Sequence, residues 1–363
     1  MLLSPIIIVG LYFLLILIFT VGWIRIPEFH PTDFFSSLPK AGVIIACRNE
    51  ENNLKNLLDA LQKQTYKDFE LIIVNDHSTD ATAAILESAK EYFQDIQIIE
   101  NTGYGKKQAI KEGILHSKSD FIITTDADCI PTSTWIATVC NFQIQHPSDL
   151  IICPVIIRPV KTLFEKLQQI EFATLVGTGA GAAGAGIPLM CNAANLAFTK
   201  KAWNESQTDL HEEEISGDDM FLLLSIKKRN GVIRYLQSDK AMVNTHGSKD
   251  ISQFIQQRAR WTSKSSAYTD WQLILTAVLV LLTSVSFVFL CIGSLFSAVY
   301  GITLTIVFSL KLLIDGLFIC KIRKSLNPDF SLPAFLLMSV IYPFYILSTV
   351  IYALLRRNSI KWK

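Results

Sequence analysis

The chain is 363 residues long, half of them hydrophobic and only 18% charged, with a formal net charge of +1. That length leaves room for one sizeable domain plus additional elements, the mean hydropathy of +0.34 points to a surface partly facing lipid, and the near-even charge balance gives no reason to expect nucleic acid as a partner. Seven cysteines, an odd number with no C-x-x-C spacing, read as reduced thiols and not as a disulfide framework or a zinc site.

The first predicted element is an apolar run from Met1 to Ile24 without a charged side chain. Its start, "MLLSP", carries no Lys or Arg, and the run outlasts the roughly 7–15 residue core of a signal peptide, so an uncleaved transmembrane anchor over 1–26 is expected. From about Arg25 to Trp271 the composition is that of an ordinary globular protein, and a domain is expected over 38–265. Short apolar runs there, "GVIIAC" (42–47), "ELIIVN" (70–75), "IQIIE" (96–100) and "FIITTD" (121–126), alternate with helical patterns. Those helices are expected from Glu50 to about Gln64, from Asp80 to about Tyr92, and over 105–118. The alternation predicts an α/β fold with a doubly wound, mostly parallel sheet whose strands are buried on both faces. Ligands of such sheets bind beyond the carboxyl ends of the strands. Arg48, Asn49 and Glu50 follow the first strand, Asn75 and Asp76 the second, and Asp126 and Asp128 the fourth.

Side chains two apart on a strand project to the same side, so Asp126 and Asp128 are expected to converge. Two such anions repel unless something positive lies between them. Neither G-x-G-x-x-G nor G-x-x-x-x-G-K-[ST] is present, so a nucleotide's phosphates need another holder. A magnesium or manganese ion between carboxylates and a diphosphate is one. Further along, "SGDDMFLLLSI" (216–226) puts Asp218 and Asp219 at a helix N-terminus, where acids also serve as ordinary dipole partners. In "QQRARW" (256–261), Gln257, Arg260 and Trp261 share one helix face. An amide, a guanidinium and a flat ring there can clamp an anion beside a sugar, and the same helix also reads as an interfacial helix with a Trp anchor.

The C-terminal region, 271–355, is apolar again. Leu273–Leu310 is uncharged, roughly 38 residues and about 57 Å as helix, against a hydrocarbon thickness of about 30 Å, so two spans with a turn near Gly293-Ser294 are expected. Ser331–Leu355 is a further uncharged segment. Arg25 and Lys40 after the first span, and "KIRK" (321–324) after the third, place the globular part in the cytoplasm. A complete crossing by Ser331–Leu355 would put the basic tail "RRNSIKWK" outside, and Pro343 allows a re-entrant or kinked segment instead, so three and four crossings both remain. Lys311 and Asp315, four apart, either pair within the third span or mark its edge.

Together, "VIIACRNEENNLKNLLDALQKQTYKDFELIIVNDHSTDAT" (43–82), "TTDADC", "SGDD" and "QRARW", in this order, closely resemble the membrane-integrated family-two inverting glycosyltransferases, the group that includes cellulose, chitin and hyaluronan synthases and ceramide glucosyltransferase. The resemblance covers about residues 40–265, and the flanking spans match the family's layout. It implies a GT-A fold and a nucleotide-diphosphate sugar donor, most often a UDP-sugar. It assigns Ala46, Arg48 and Glu50, with Asp76, to the base and ribose, and Lys106 in "GYGKKQAI" to the basic group near the nucleotide. Asp126 and Asp128 would hold the divalent metal, Asp128 more directly. Asp219 matches the catalytic base with Asp218 beside it, and Gln257, Arg260 and Trp261 match the family's Q-x-x-R-W, with Arg260 also steadying the leaving diphosphate.

One stretch departs from the family. In Thr178–Phe198, "TGAGAAGAGIPLMCNAANLAF", Ala193 and Ala194 occupy the glycine position of a G-x-N-like acceptor motif, and the five glycines from Gly177 to Gly186 read either as a flexible loop or as close helix packing. His246 in "NTHGSKD" is a further candidate metal ligand. The expected function is transfer of a sugar to a lipid or glycan hydroxyl by an enzyme of the cell inner membrane, a short or lipid-linked acceptor fitting the small membrane part. The alternative is a non-catalytic nucleotide-sugar or glycan-binding membrane module of an export or regulatory system.

Overall fold

A computed structural model describes residues 3–31, 38–211, 217–326 and 330–355. Helix α1 (Leu3–Arg25) is followed by β1 (Ala41–Cys47), α2 (Leu54–Gln62), β2 (Phe69–Asn75), α3 (Thr82–Ala89), β3 (Ile96–Glu100) and α4 (Lys106–His116). Next come β4 (Phe121–Asp126), β5 (Ile130–Pro131), α5 (Trp135–Gln145), β6 (Leu150–Ile152), β7 (Val155–Ile157) and α6 (Leu163–Gly184). The chain continues with β8 (Leu196–Thr199), α7 (Lys200–Asn204), α8 (Asp218–Lys228), β9 (Ile233–Tyr235) and β10 (Val243–Thr245). Four helices complete it: α9 (Ile251–Ser263), α10 (Trp271–Ser294), α11 (Ala298–Leu326) and α12 (Leu332–Leu355). Two compact units result, an α/β unit with all the strands and a helical unit of α1, α6 and α9 to α12.

In the α/β unit a seven-stranded sheet has the order β3-β2-β1-β4-β8-β6-β9, beside a small sheet β5-β10-β7. β1 pairs in parallel with both β2 and β4, and every residue of β1 and β2 is buried. The unbroken Val/Ile runs are the reason: a strand covered on both faces has no solvent side to furnish with polar residues. β3 is different. It forms the sheet edge and is only partly buried, so its apolar run does not mean cover on both faces. β8 runs antiparallel to β4 and β6, which makes the sheet mixed. Its direction is set at its start, where Thr124 Oγ1 donates to the Ala193 carbonyl at 3.0 Å and Thr125 Oγ1 to that of Ala194 at 2.9 Å. A strand that begins beside the carboxyl end of β4 has to run back along it.

In the helical unit α1, α10, α11 and α12 are each long and apolar enough to cross a membrane. The turn between α10 and α11 falls at Leu295–Ser297, next to Gly293-Ser294 as its composition anticipates. Apolar side chains stay exposed along these helices, Leu14 at 54% and Leu275 at 57% among them, which suits lipid as the surrounding solvent. α12 passes through Pro343 as one helix. Lys311 and Asp315 pair on α11 and the Tyr12 hydroxyl donates to Asp315 at 2.8 Å, so the two charges offset each other along the helix. The basic tail 356–363, on which the orientation argument partly turns, lies outside the described residues.

The glycine-rich stretch is helix, not loop, as far as Gly184, and it packs tightly on α1. A methyl group on Gly22 would overlap the carbonyl oxygen of Gly181, and one on Gly181 the carbonyl oxygen of Phe19. Backbone is the obstacle on both sides, so Gly181→Leu is expected to cost at least the about 1–3 kcal/mol typical of overpacking and to lower the unfolding temperature in detergent. Gly10→Leu, at a site with nothing within 4 Å, serves as the neutral control. Equal shifts in the two variants would contradict the packing argument.

Candidate active site

The register of the parallel strands brings three chain ends level: Ala46 lies opposite both Val74 and Asp126, and Cys47 lies opposite Asn75. All the polar residues singled out after β1, β2 and β4 therefore gather at one edge. Burial pushes the Cys47 thiol up to about 12, with the negative charges of Glu50, Glu100, Asp80 and Asp76 adding to it. That edge is crowded with carboxylates.

Asp76 is fully buried. Its oxygens accept from the Gly105 amide at 3.0 and 3.1 Å and from Asn101 Nδ2 at 2.6 Å, and Arg48 Nη1 approaches to 3.5 Å. The carboxylate thus ties the turn after β3 to the end of β2. Asn101 was not legible from the motifs; its only signal is its place in the "NTGYG" turn. Glu50 is buried as well, accepting from Asn53 Nδ2 at 2.8 Å while its own amide donates to Thr82 Oγ1 at 2.8 Å. It shapes the start of α2. Asn49, at φ 54°, knits the two neighbouring loops together by accepting from the Thr79 amide at 2.8 Å.

β4 ends at Asp126, and Ala127 and Asp128 form a turn. The alternation of a strand is therefore not what relates the two acids; the turn is, closed by the Cys129 amide donating to the Asp126 carbonyl at 3.1 Å. The buried Cys129 thiol lies 3.7 Å from Asp128 Oδ1, and burial, with the negative charges of Asp128 and Asp126, holds it well above its ordinary value. Lys106, the first residue of α4, forms an ion pair with Asp126. Burial by itself would weaken this lysine's hold on its proton, but Asp126, Asp218 and Asp219 outweigh burial and keep the ammonium well above the usual lysine range. One cation thus senses three of the expected acids.

Asp218 and Asp219 open α8 after Gly217, whose φ of 101° turns the chain into the helix. Ser216 of the same motif lies outside the described residues. Asp219 Oδ2 accepts from the Ala193 amide at 3.1 Å and Oδ1 from the Met220 amide at 2.8 Å. Two fixed donors orient the carboxylate. Ala193, in the stretch that departs from the family's glycine pattern, still supplies this contact through its backbone.

Gln257, Arg260 and Trp261 stand on α9, in the helical unit. There Arg258, between Gln257 and Arg260, is a buried charged residue. Its Nε donates to Glu171 Oε1 at 3.0 Å and its Nη1 to Gln257 Oε1 at 2.7 Å, and its guanidinium lies 4.2 Å from the Trp261 ring centroid. Tyr345 completes the set, its hydroxyl donating to Glu171 Oε1 at 3.0 Å.

Among the described residues no group of three or more His, Cys, Asp or Glu side chains is placed to hold a metal, so His246 does not complete such a set with Asp126 and Asp128. Two hard carboxylates fit an ion such as magnesium or manganese, which takes its other ligands from phosphates and water. The Lys106 ammonium beside Asp126 marks where positive charge is favoured.

The sheet order and the acid edge define a GT-A-type α/β unit, and the Mannosyltransferase PcManGT from Pyrobaculum calidifontis, solved in complex with GDP-Man and Mn2+, shares the fold. It superposes with a TM-score of 0.56 at 14% identity, covering 98% of this chain and 97% of that one. Residues 42–206 match Glycosyl transferase family 2, and the chain carries a domain of that family. The Poly-beta-1,6-N-acetyl-D-glucosamine synthase of Staphylococcus aureus is 29% identical over 135 residues, 37% of this chain and 33% of the relative. Glycosyltransferase GlyA of Streptococcus pneumoniae is 29% identical over 113 residues, 31% of this chain and 16% of the relative. The chain thus spans a third or less of the length of these curated relatives.

Proposed function

We propose that the chain is a membrane-integrated, metal-dependent inverting glycosyltransferase that moves a hexose from a nucleotide-diphosphate sugar, a UDP-sugar in the first instance, to a lipid or glycan hydroxyl. The observation that carries this reading is the Lys106–Asp126 ion pair at the carboxyl end of β4, to which the negative charges of Asp218 and Asp219 add in holding the proton on the lysine. The family match over residues 42–206 and the fold relative bound to GDP-Man and Mn2+ agree with it.

In this reading Arg48 and Asp76, with Ala46 and Glu50 shaping the strand end, receive the base and ribose, and Lys106 meets the nucleotide's charge. Asp219 takes the proton of the acceptor hydroxyl as its oxygen attacks the anomeric carbon. The bond to the nucleoside diphosphate breaks on the opposite face, so an α-linked donor gives a β-linked product. Asp218 sits beside the base as a second carboxylate, and Gln257, Arg260 and Trp261 serve the acceptor and the leaving diphosphate. A divalent ion held by Asp126 and Asp128 would supply charge neutralisation at that diphosphate. The four apolar helices anchor the chain, and Arg25, Lys40, Lys321, Arg323 and Lys324 favour a cytoplasmic α/β unit on the cell inner membrane.

The test is transfer of label from a panel of radiolabelled nucleotide sugars to a membrane lipid extract by the purified chain in detergent, with and without chelator. Transfer is expected with one donor, lost on chelation, restored by added manganese, and lost in Asp128→Asn. Donor binding without transfer to any lipid or glycan would favour a binding module instead, and binding indifferent to chelator would remove Asp126 and Asp128 from the metal role.

A further inference from the structure

Tyr104 is 77% exposed, one of the most exposed large side chains of the α/β unit. It is nevertheless held in place. One face of its ring stacks on His77, with centroids 4.4 Å apart and an interplanar angle of 26°. His77, at φ 55°, is itself fixed, its Nε2 donating to the Gly103 carbonyl at 2.8 Å. The turn that carries the tyrosine is pinned on both sides, by the Gly103 amide on Asn101 Oδ1 at 3.2 Å and by the Gly105 amide on the Asp76 carboxylate. Gly105, at φ 92°, then leads directly into Lys106.

An unburied aromatic ring keeps its apolar faces in water, and ordering it against a partner adds an entropic cost. Here an exposed aromatic pair lies between the Asp76 anchor and the lysine facing the acid edge. Such a ring, with one face backed and the other open, is a stacking platform for a flat π system. The bases of nucleotides are flat π systems; a bare diphosphate is not.

We propose that the open face of Tyr104, backed by His77, is the surface on which the base of the donor nucleotide stacks. This rests on the reading of the chain as a user of nucleotide sugars. Because every base has a π face, the platform strengthens binding of UDP and GDP alike, and discrimination between them falls to the polar groups around Asp76.

The experiment is equilibrium binding to the full chain in detergent with manganese present, using UDP, GDP, UDP-N-acetylglucosamine and inorganic pyrophosphate as probes. Tyr104→Ala is expected to weaken UDP binding about tenfold, within the span of base-aromatic stacking. The factor should be the same for UDP and its sugar conjugate, while pyrophosphate binding is unchanged. Tyr104→Phe should bind as the wild type does, and Tyr104→Trp should add an indole fluorescence signal that UDP quenches. The exposed position leaves folding intact, which the unfolding temperature of each variant verifies. Wild-type binding of UDP with no loss in Tyr104→Ala overturns the platform alone, as does a loss confined to the sugar conjugate. A wild type that binds neither nucleotide overturns the nucleotide-sugar reading itself, and the platform with it.

Discussion

Asp219→Asn is expected to bind UDP as the wild type does and to transfer no sugar. The amide keeps the shape of the carboxylate and still offers an oxygen to the Ala193 amide or the Met220 amide, so the start of α8 stays in place. What it cannot do is take a proton. General base catalysis contributes about a hundred- to ten-thousand-fold, and a loss of that size is expected in turnover with little change in donor affinity. The measurement is initial transfer rate at saturating donor beside UDP binding by calorimetry. A variant that transfers at the wild-type rate removes Asp219 from the role of base. One that loses UDP binding as well assigns the residue to donor recognition. Asp218→Asn in parallel tells which of the adjacent acids is needed.

The second large effect is expected far from that proton. Arg258 and Glu171 are both almost fully buried, and they pair through two nitrogens and two oxygens. Glu171→Ala leaves a guanidinium without its anion, at a cost of about 3–5 kcal/mol, and should appear as a steep fall in unfolding temperature in detergent. Replacing the pair together, Glu171→Leu with Arg258→Met, should recover most of that loss, because apolar side chains of similar volume avoid the desolvation that the ions suffer. If the double variant unfolds as early as the single one, the pair is stabilising in its own right and not merely balanced. The double variant also frees Gln257 and Trp261 from the arginine that both of them contact, so its transfer rate reports how far these two depend on it.

Much of the α/β unit was legible in the sequence because its signals are local. Continuous apolar runs marked β1, β2 and β4, and the polar residues directly after them fell on one edge because parallel strands share a direction. Gly217 followed by two acids marked the start of α8. The partners were not legible. Lys106 finds Asp126 across 20 residues, Arg258 finds Glu171 across 87, and Tyr345 finds Glu171 across 174, and no periodicity reports contacts of that range. The relation between Asp126 and Asp128 was read from strand alternation, whereas the strand stops at Asp126, since alternation describes a strand and not where it ends. The glycine run allowed two readings; a helix was decided by α1, whose close approach needs residues without side chains and rewards them with tight packing.

That close approach bears on how the chain can be shortened. Deleting the first 25 residues is the customary route to a water-soluble catalytic fragment, on the assumption that an N-terminal anchor is dispensable. Here it would lay bare the groove on α6 into which Phe19 and Gly22 fit, and a helix so rich in glycine has little intrinsic stability to fall back on. Trimmed preparations of this protein should therefore aggregate, and detergent-solubilised full-length material is the form to purify.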